Sequence, residues 1–127
     1  MIKKNKNPNN YKKLLPYEGN LKGQEIIKYI SKSLPNKPGV YQMENEENEI
    51  LYIGKAKNLA KRVVSYTSLN NLTRRIQRMV SLTKNINFFV TNTEIEALLL
   101  ECNLIKRHKP KFNIILRDDK SFPFLLI

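Results

Sequence analysis

The sequence predicts a small α+β domain in which a three-stranded antiparallel sheet is flanked by helices. Two runs of β-branched, aromatic and aliphatic side chains, 39–41 and 51–53, predict two strands, and the polar residues between them suit a hairpin. A third run, 87–91, predicts the last strand. Apolar residues at helical spacing predict the helices around them. A chain of 127 residues, 41% of them hydrophobic, can form one such domain with its own core.

The first part of the chain, residues 1–33, is predicted to be a flexible basic arm followed by a short helix. Residues 1–40 hold nine basic and two acidic side chains, so the arm either reaches phosphates or, as its composition favours, is a solvated tail. Isoleucines at helical spacing predict a helix over 24–33, which Pro35 and Pro38 end. Gly39 is expected to relieve crowding where the first strand begins.

After the second strand, Asn58 is a suitable N-cap for a helix that reaches about Tyr66. Arg62 and Tyr66 are four residues apart and share one face of it. Lys55 is expected in the loop that leads into this helix. These three side chains can therefore converge on the tyrosines of the two strands.

The next predicted helix covers 71–84 and has an apolar stripe opposite a basic face. The basic face either contacts a nucleic-acid backbone or is an ordinary solvated surface, and the sequence leaves this open. Its members, together with two lysines near the preceding helix, are the candidate DNA-binding residues Arg74, Arg75, Arg78, Lys57 and Lys61.

Thr93 and Glu96 form a capping box that predicts the start of another helix, and Pro110 ends this helix. This helix is apolar nearly all round, which predicts that it is buried, with Cys102 as a small core residue. The run 112–116 predicts a short strand or an extended segment. His108 lies among basic residues and is expected on the surface rather than to act as a base.

The last stretch, 117–127, is predicted to begin a C-terminal extension that the chain does not complete. Asp118 and Asp119 could bind a metal, but their position between Arg117 and Lys120 favours a charged turn.

Net charge, cysteine content and the length of apolar runs limit the class of protein and its compartment. The net charge of +12 points to a polyanionic partner such as nucleic acid, although a Lys-rich composition drifting with an AT-rich genome gives the same signal. The single cysteine excludes an internal disulfide. No apolar run reaches the ~18 residues of a membrane span, and no apolar stretch of a signal peptide follows the basic start. We therefore expect a cytoplasmic protein without a membrane partner.

Two features point to chemistry. Glu101 lies in an apolar surrounding, so it must be paired, protonated or bound to a metal ion, with a salt bridge to Arg62 or Lys106 as the structural alternative. Tyrosines on paired strands, followed by Gly54 and Lys55, are more typical of a phosphate site than of packing, although either tyrosine alone would be read as a half-buried aromatic.

The triplets Gly39-Val40-Tyr41 and Tyr52-Ile53-Gly54 resemble the paired signature of GIY-YIG endonucleases. The surrounding segments 34–41, 52–66, 96–106 and 117–123 are similar to the N-terminal nuclease domain of the UvrC family, the incision subunit of bacterial nucleotide excision repair. The resemblance places the nuclease domain at 34–116.

The resemblance implies metal-dependent hydrolysis of a DNA phosphodiester on the 3′ side of a lesion, on damaged double-stranded DNA held by UvrB, with UvrA acting earlier. It implies one Mg²⁺ or Mn²⁺ ion on Glu101, which suits a single carboxylate because Mg²⁺ keeps most of its waters. Two alternatives are a stand-alone GIY-YIG nuclease and a non-catalytic DNA-binding fragment. The run 117–123 argues against the first, and the intact set of site residues argues against the second.

The resemblance also implies residue roles. Tyr52 would be the general base, assisted by Lys55 and metal-bound water, and its phenol would need a pKa depressed by Lys55 and Arg62. Arg62 would stabilise the pentavalent phosphate. Tyr41 and Tyr66 would orient these groups.

Two further residues have supporting roles in this scheme. Gly54 would admit the scissile backbone closely. Asn113 would tie the end of the domain to the site, a role more structural than catalytic.

Overall fold

The computed structural model describes residues 23–68 and 71–117, which fold around a three-stranded antiparallel sheet of order β2-β1-β3. The strands are β1 (Gly39–Glu44), β2 (Ile50–Ala56) and β3 (Asn85–Val90). The helices are α1 (Gly23–Ser31), α2 (Leu59–Val64), α3 (Arg74–Leu82), α4 (Glu94–His108) and α5 (Lys111–Arg117), with a 3-10 turn at Ser65–Thr67. The predicted fold class is confirmed. The predicted basic arm, the charged turn with Asp118 and Asp119, and the C-terminal extension lie outside the described residues.

The central strand β1 separates two layers of the core. Tyr41 and Met43 on one face are fully buried in the main cluster, together with side chains of α1, α2, α3 and α5. Val40 on the other face packs with Ile53 and with Ala97 of α4. Neighbouring residues pack into different layers because the side chains of a strand alternate between its two faces. Helix α1 belongs to the same packed unit, since Ile27 and Ile30 are fully buried in the main cluster.

Local capping explains where the helices begin. Asn58 Oδ1 accepts a hydrogen bond from the Lys61 amide, which confirms the predicted N-cap of α2. Thr73 Oγ1 accepts from the Ile76 amide in the same way, so α3 begins at Arg74 and is shorter than the predicted 71–84. Strand β3 begins at Asn85, two residues before the prediction.

Two predicted elements are wrong. Lys55 is not in a loop; it is part of β2 and pairs with Val40. The segment 112–116 is not a strand; it is part of helix α5. This helix starts because the Pro110 carbonyl accepts hydrogen bonds from the amides of Asn113 and Ile114.

The prediction that α4 is buried is also wrong. Its buried residue is Ala97, whereas Ile95 is 71% exposed and Leu99 is 60% exposed. Cys102 is exposed as well, so it is not a core residue. The reason is that only one side of α4 packs against the sheet. Among the described residues, no other helix or strand covers its opposite side. His108 is exposed, as predicted.

Within 23–68 and 71–117, the helices are too short or too polar for any of them to cross a bilayer.

Candidate active site

Three tyrosines meet beneath β1 and β2. The Tyr41 and Tyr66 hydroxyls are hydrogen-bonded at 2.7 Å, and the Tyr41 ring centroid is 6.2 Å from that of Tyr52. All three side chains are almost completely buried. Two come from neighbouring strands, and the third comes from the turn that follows α2. The sequence prediction that Tyr41 and Tyr52 lie close together is confirmed.

Gly54 lies directly opposite Tyr41 in the β1–β2 ladder. A Cβ atom at Gly54 would lie 2.5 Å from the Tyr41 hydroxyl oxygen. The space that a side chain would fill is therefore taken by a phenol. The structure thus gives Gly54 a packing role, because the glycine makes room for Tyr41; the expected close approach of a DNA backbone stays a prediction.

Arg62 extends from α2 over this tyrosine cluster. Its guanidinium carbon is 5.9 Å from the centre of the Tyr66 ring, and the side chain hydrogen-bonds to Tyr41. A guanidinium is charged at every physiological pH and binds phosphate in a fork geometry. The buried phenols thus hold a cation at the edge of the site.

The outer edge of β2 is completed by side chains from α4 and α5. Asn113 Oδ1 accepts from the Ile53 amide at 2.8 Å, and Asn113 Nδ2 donates to the Ile53 carbonyl at 2.9 Å. Glu101 Oε2 accepts from the Lys55 amide at 3.0 Å. An edge strand leaves such groups unpaired, so these contacts both satisfy the strand and fix the two side chains. The structural alternative for Glu101 was a salt bridge to Arg62 or Lys106, whereas its hydrogen-bond donor is the backbone amide of Lys55.

A cleft of about 810 Å³ opens between β2, α2 and α4. It brings together most of the predicted site residues: Tyr52, Lys55, Arg62, Glu101 and Asn113, with Lys57 and Lys61 on its rim. Tyr41, Gly54 and Tyr66 lie in the buried layer behind Tyr52. The three arginines of α3 are exposed, but they do not line the cleft: Arg74, Arg75 and Arg78.

The remaining lining residues were not predicted as site residues: Ala56, Asn58, Ser65, Leu98, Cys102 and Ile105. Leu98 and Ile105 lie three residues before and four residues after Glu101. Helical periodicity could have placed them on the same face as the carboxylate.

The electrostatics differ from expectation at Tyr52. Burial raises the pKa of the Tyr52 phenol above its usual range, the neighbouring Tyr41 adds to the increase, and Arg62 lowers it by less. The depressed pKa that a role as base requires is therefore not supplied by the side chains of this arrangement, because loss of solvation outweighs one cation. Burial likewise raises the pKa of Tyr41 and Tyr66.

Glu101 has the properties of a metal ligand. Burial raises the pKa of its carboxyl, and the Lys55 amide and side chain and Arg62 only partly offset this, so the charged form lacks compensation. The described residues contain no group of three or more His, Cys, Asp or Glu that could enclose an ion. A single carboxylate beside an open cleft fits Mg²⁺, which takes one or two carboxylates and fills its other positions with water and phosphate oxygens.

Comparison with known proteins places this arrangement in a family. The UvrC-like GIY-YIG domain family matches residues 37–114. UvrABC system protein C of Rhizobium meliloti is 54% identical over 113 residues, which is 89% of this chain and 17% of that protein. The corresponding protein of Bartonella henselae is 56% identical over 106 residues, 84% of this chain and 16% of that protein. The chain thus spans about one sixth of the length of these curated relatives.

A solved structure agrees with these sequence matches. The GIY-YIG N-terminal endonuclease domain of UvrC from Thermotoga maritima, bound to its catalytic divalent cation magnesium, is 38% identical, with a TM-score of 0.61. The match covers 68% of this chain and 93% of that domain. Since the family match, the identity and the fold agree, the chain belongs to the family of UvrC-like GIY-YIG domains.

Proposed function

We propose that this domain is a metal-dependent endonuclease that hydrolyses a DNA phosphodiester. The observation that carries the proposal is that a phenol, a lysine, an arginine and a carboxylate, Tyr52, Lys55, Arg62 and Glu101, line one cleft of a strongly basic chain. A cleft of this kind suits a phosphate whose charge increases during hydrolysis.

Glu101 would hold the divalent ion, Mg²⁺ or Mn²⁺. Its Oε2 is anchored by the Lys55 amide, so the carboxylate is fixed before any ion binds. The bound ion would supply positive charge to the phosphate oxygens. The magnesium in the relative from T. maritima supports this choice of ion.

Arg62 would bind the phosphate and stabilise the charge that develops on it. Its hydrogen bond to Tyr41, and through Tyr41 to Tyr66, orients the guanidinium toward the cleft. Lys55 would add a second positive charge at the opposite wall. Both residues therefore position the substrate and screen its charge.

Tyr52 would accept the proton of the attacking water. A phenol is protonated at neutral pH, and burial raises the pKa of this one further. A role as base therefore requires more positive charge than Arg62 provides, and substrate turnover would depend on the ion for this reason too. Removing the hydroxyl as Tyr52→Phe would leave the ring, and thus the packing, in place.

Because its relatives are protein C of the UvrABC system, the domain would act in that system. There it would cut the damaged strand on the 3′ side of a lesion, on duplex DNA that carries UvrB. The bacterial cytoplasm is the compartment we propose. Because the chain spans about one sixth of the curated relatives, these activities of the whole proteins are proposals for the domain.

The test is nicking of a lesion-bearing duplex loaded with UvrB, with Mg²⁺ or with EDTA. Glu101→Gln is the informative variant because its amide oxygen can still accept from the Lys55 amide. Glu46→Gln, on the exposed hairpin between β1 and β2, is the matched control.

We expect a Mg²⁺-dependent 3′ nick by the unsubstituted chain and by Glu46→Gln, and none by Glu101→Gln. Equal nicking by both variants would refute the metal role of Glu101. DNA binding without nicking by any of the three would favour a non-catalytic DNA-binding fragment, and cutting of undamaged DNA without UvrB would favour a stand-alone nuclease.

A further inference from the structure

The junction of α4 and α5 carries an exposed run of basic residues that the site described above does not use. Lys106, Arg107, His108 and Lys109 are consecutive and exposed, and Lys111 follows Pro110. Basic residues in the last turn of a helix offset its dipole, but this explains only part of a run that continues past the helix end.

The junction lies at one end of the cleft. Ile105, just before it, and Asn113, just after it, both line the cleft. Lys106 is one helical turn beyond Cys102, which also lines the cleft, so Lys106 continues that edge of the cleft along α4. Lys109 is the residue directly after α4 and has a left-handed backbone conformation, so it lies at the same end of the cleft but outside the helical repeat. Arg107 is rotated by about 200° from Ile105 and lies on the far side of the helix.

The charge of these lysines is uncompensated in the described structure. Among residues 23–68 and 71–117, no carboxylate forms an ion pair with Lys106, Arg107 or Lys109. By contrast, Lys57 at the other end of α4 is paired with Glu94 at 3.8 Å. The cleft is therefore continued by free positive charge at its α5 end.

We propose that Lys106 and Lys109 form a basic rim that binds the phosphate backbone of the DNA strand leaving the cleft. This inference rests on the proposed function, since it assumes that the scissile phosphate lies near Glu101. Lys106 and Lys109 are five and eight residues beyond Glu101, about 8 Å and about 12 Å along the helix axis. At about 3.4 Å per phosphate along one strand, the rim meets phosphates about two to four nucleotides from the cut.

The test is the salt dependence of duplex binding in EDTA, measured by fluorescence anisotropy, so that no cutting occurs. The double variant Lys106→Gln/Lys109→Asn removes the rim, and asparagine is chosen because Lys109 has φ 45°, which asparagine tolerates. Lys28→Gln/Arg107→Gln removes the same charge from exposed positions away from the cleft.

Each lost phosphate contact reduces the slope of log K against log salt by about 0.9. We expect the rim variant, which loses two contacts, to have a slope smaller by about 1.8, so that between 50 and 200 mM salt its affinity falls about 12-fold less than that of the unsubstituted chain. The control variant should keep the original slope.

Equal slopes for the two double variants would overturn the rim, and so would the absence of salt-dependent binding by the unsubstituted chain. A partner other than DNA, such as an acidic protein surface, would give the first of these results. If the rim variant has the lower slope but the chain never nicks DNA, the rim stands and the proposed nuclease fails. If the chain nicks DNA but the two double variants have equal slopes, the proposed nuclease stands and the rim fails.

Discussion

The side chain of Asn113 should contribute far more to the stability of the domain than the side chain of an exposed asparagine such as Asn103. Its side chain is 8% exposed, and its amide makes both hydrogen bonds that the outer edge of β2 needs at Ile53. In Asn113→Ala the Ile53 amide and carbonyl lose their partners, and each buried unsatisfied group costs about 1–3 kcal/mol. Because Asn113 lines the cleft, water can reach part of the vacated space, so we expect a loss of about 2–4 kcal/mol in the free energy of unfolding.

Urea denaturation of Asn113→Ala and Asn103→Ala measures this difference. Asn103 is exposed on α4 and serves as the matched control, for which we expect a change within about 0.5 kcal/mol. If the two variants lose similar stability, the paired hydrogen bonds to Ile53 do not hold α5 against β2. If Asn113→Ala then fails to nick DNA without urea, at a temperature where it is fully folded, Asn113 has a direct catalytic role instead.

Two further predictions follow from the tyrosine cluster and the cleft. Because burial raises the pKa of Tyr41, Tyr52 and Tyr66, only the unfolded chain should release their protons as pH rises above about 10. Unfolding free energy should therefore fall from there upward, and it should fall less steeply in Tyr52→Phe; equal slopes in urea titrations would contradict this. Cys102 is the chain's single cysteine, is exposed and lines the cleft, so a bulky maleimide should block nicking by the unsubstituted chain but not by Cys102→Ala. Full activity of the alkylated protein would show that DNA does not enter this part of the cleft.

Strands β1 and β2 and the N-caps could be predicted because their signals are local. The segment 112–116 could not, since isoleucines in sequence favour a strand while Phe112 and Leu116, four residues apart, are the buried pair of a helix. The decision depends on a contact between Asn113 and Ile53, sixty residues apart. A pattern within one segment does not contain such information.

The partner of Glu101 was beyond sequence analysis for a different reason. A cationic side chain is visible in a sequence, whereas the Lys55 amide that binds Glu101 is a backbone group, and every residue other than proline has one. The direction of the pKa shift at Tyr52 was beyond the sequence for a related reason. Neighbouring cations could be read from the sequence, but the depth of burial that outweighs them could not.

The hydrogen bonds of Asn113 and Glu101 both act on strand β2. Tyr52 presents its phenol from β2, while the outer edge of the same strand holds Asn113 at Ile53 and Glu101 at Lys55. Lys55 is three residues from Tyr52, about 10 Å along an extended strand. Strand β2 is paired with β1 on one side and with these two side chains on the other. A shift of this strand therefore moves the Tyr52 phenol and the anchor of the Glu101 carboxylate together. Asn113 therefore fixes the distance between the phenol and the carboxylate by holding the strand that carries one and anchors the other.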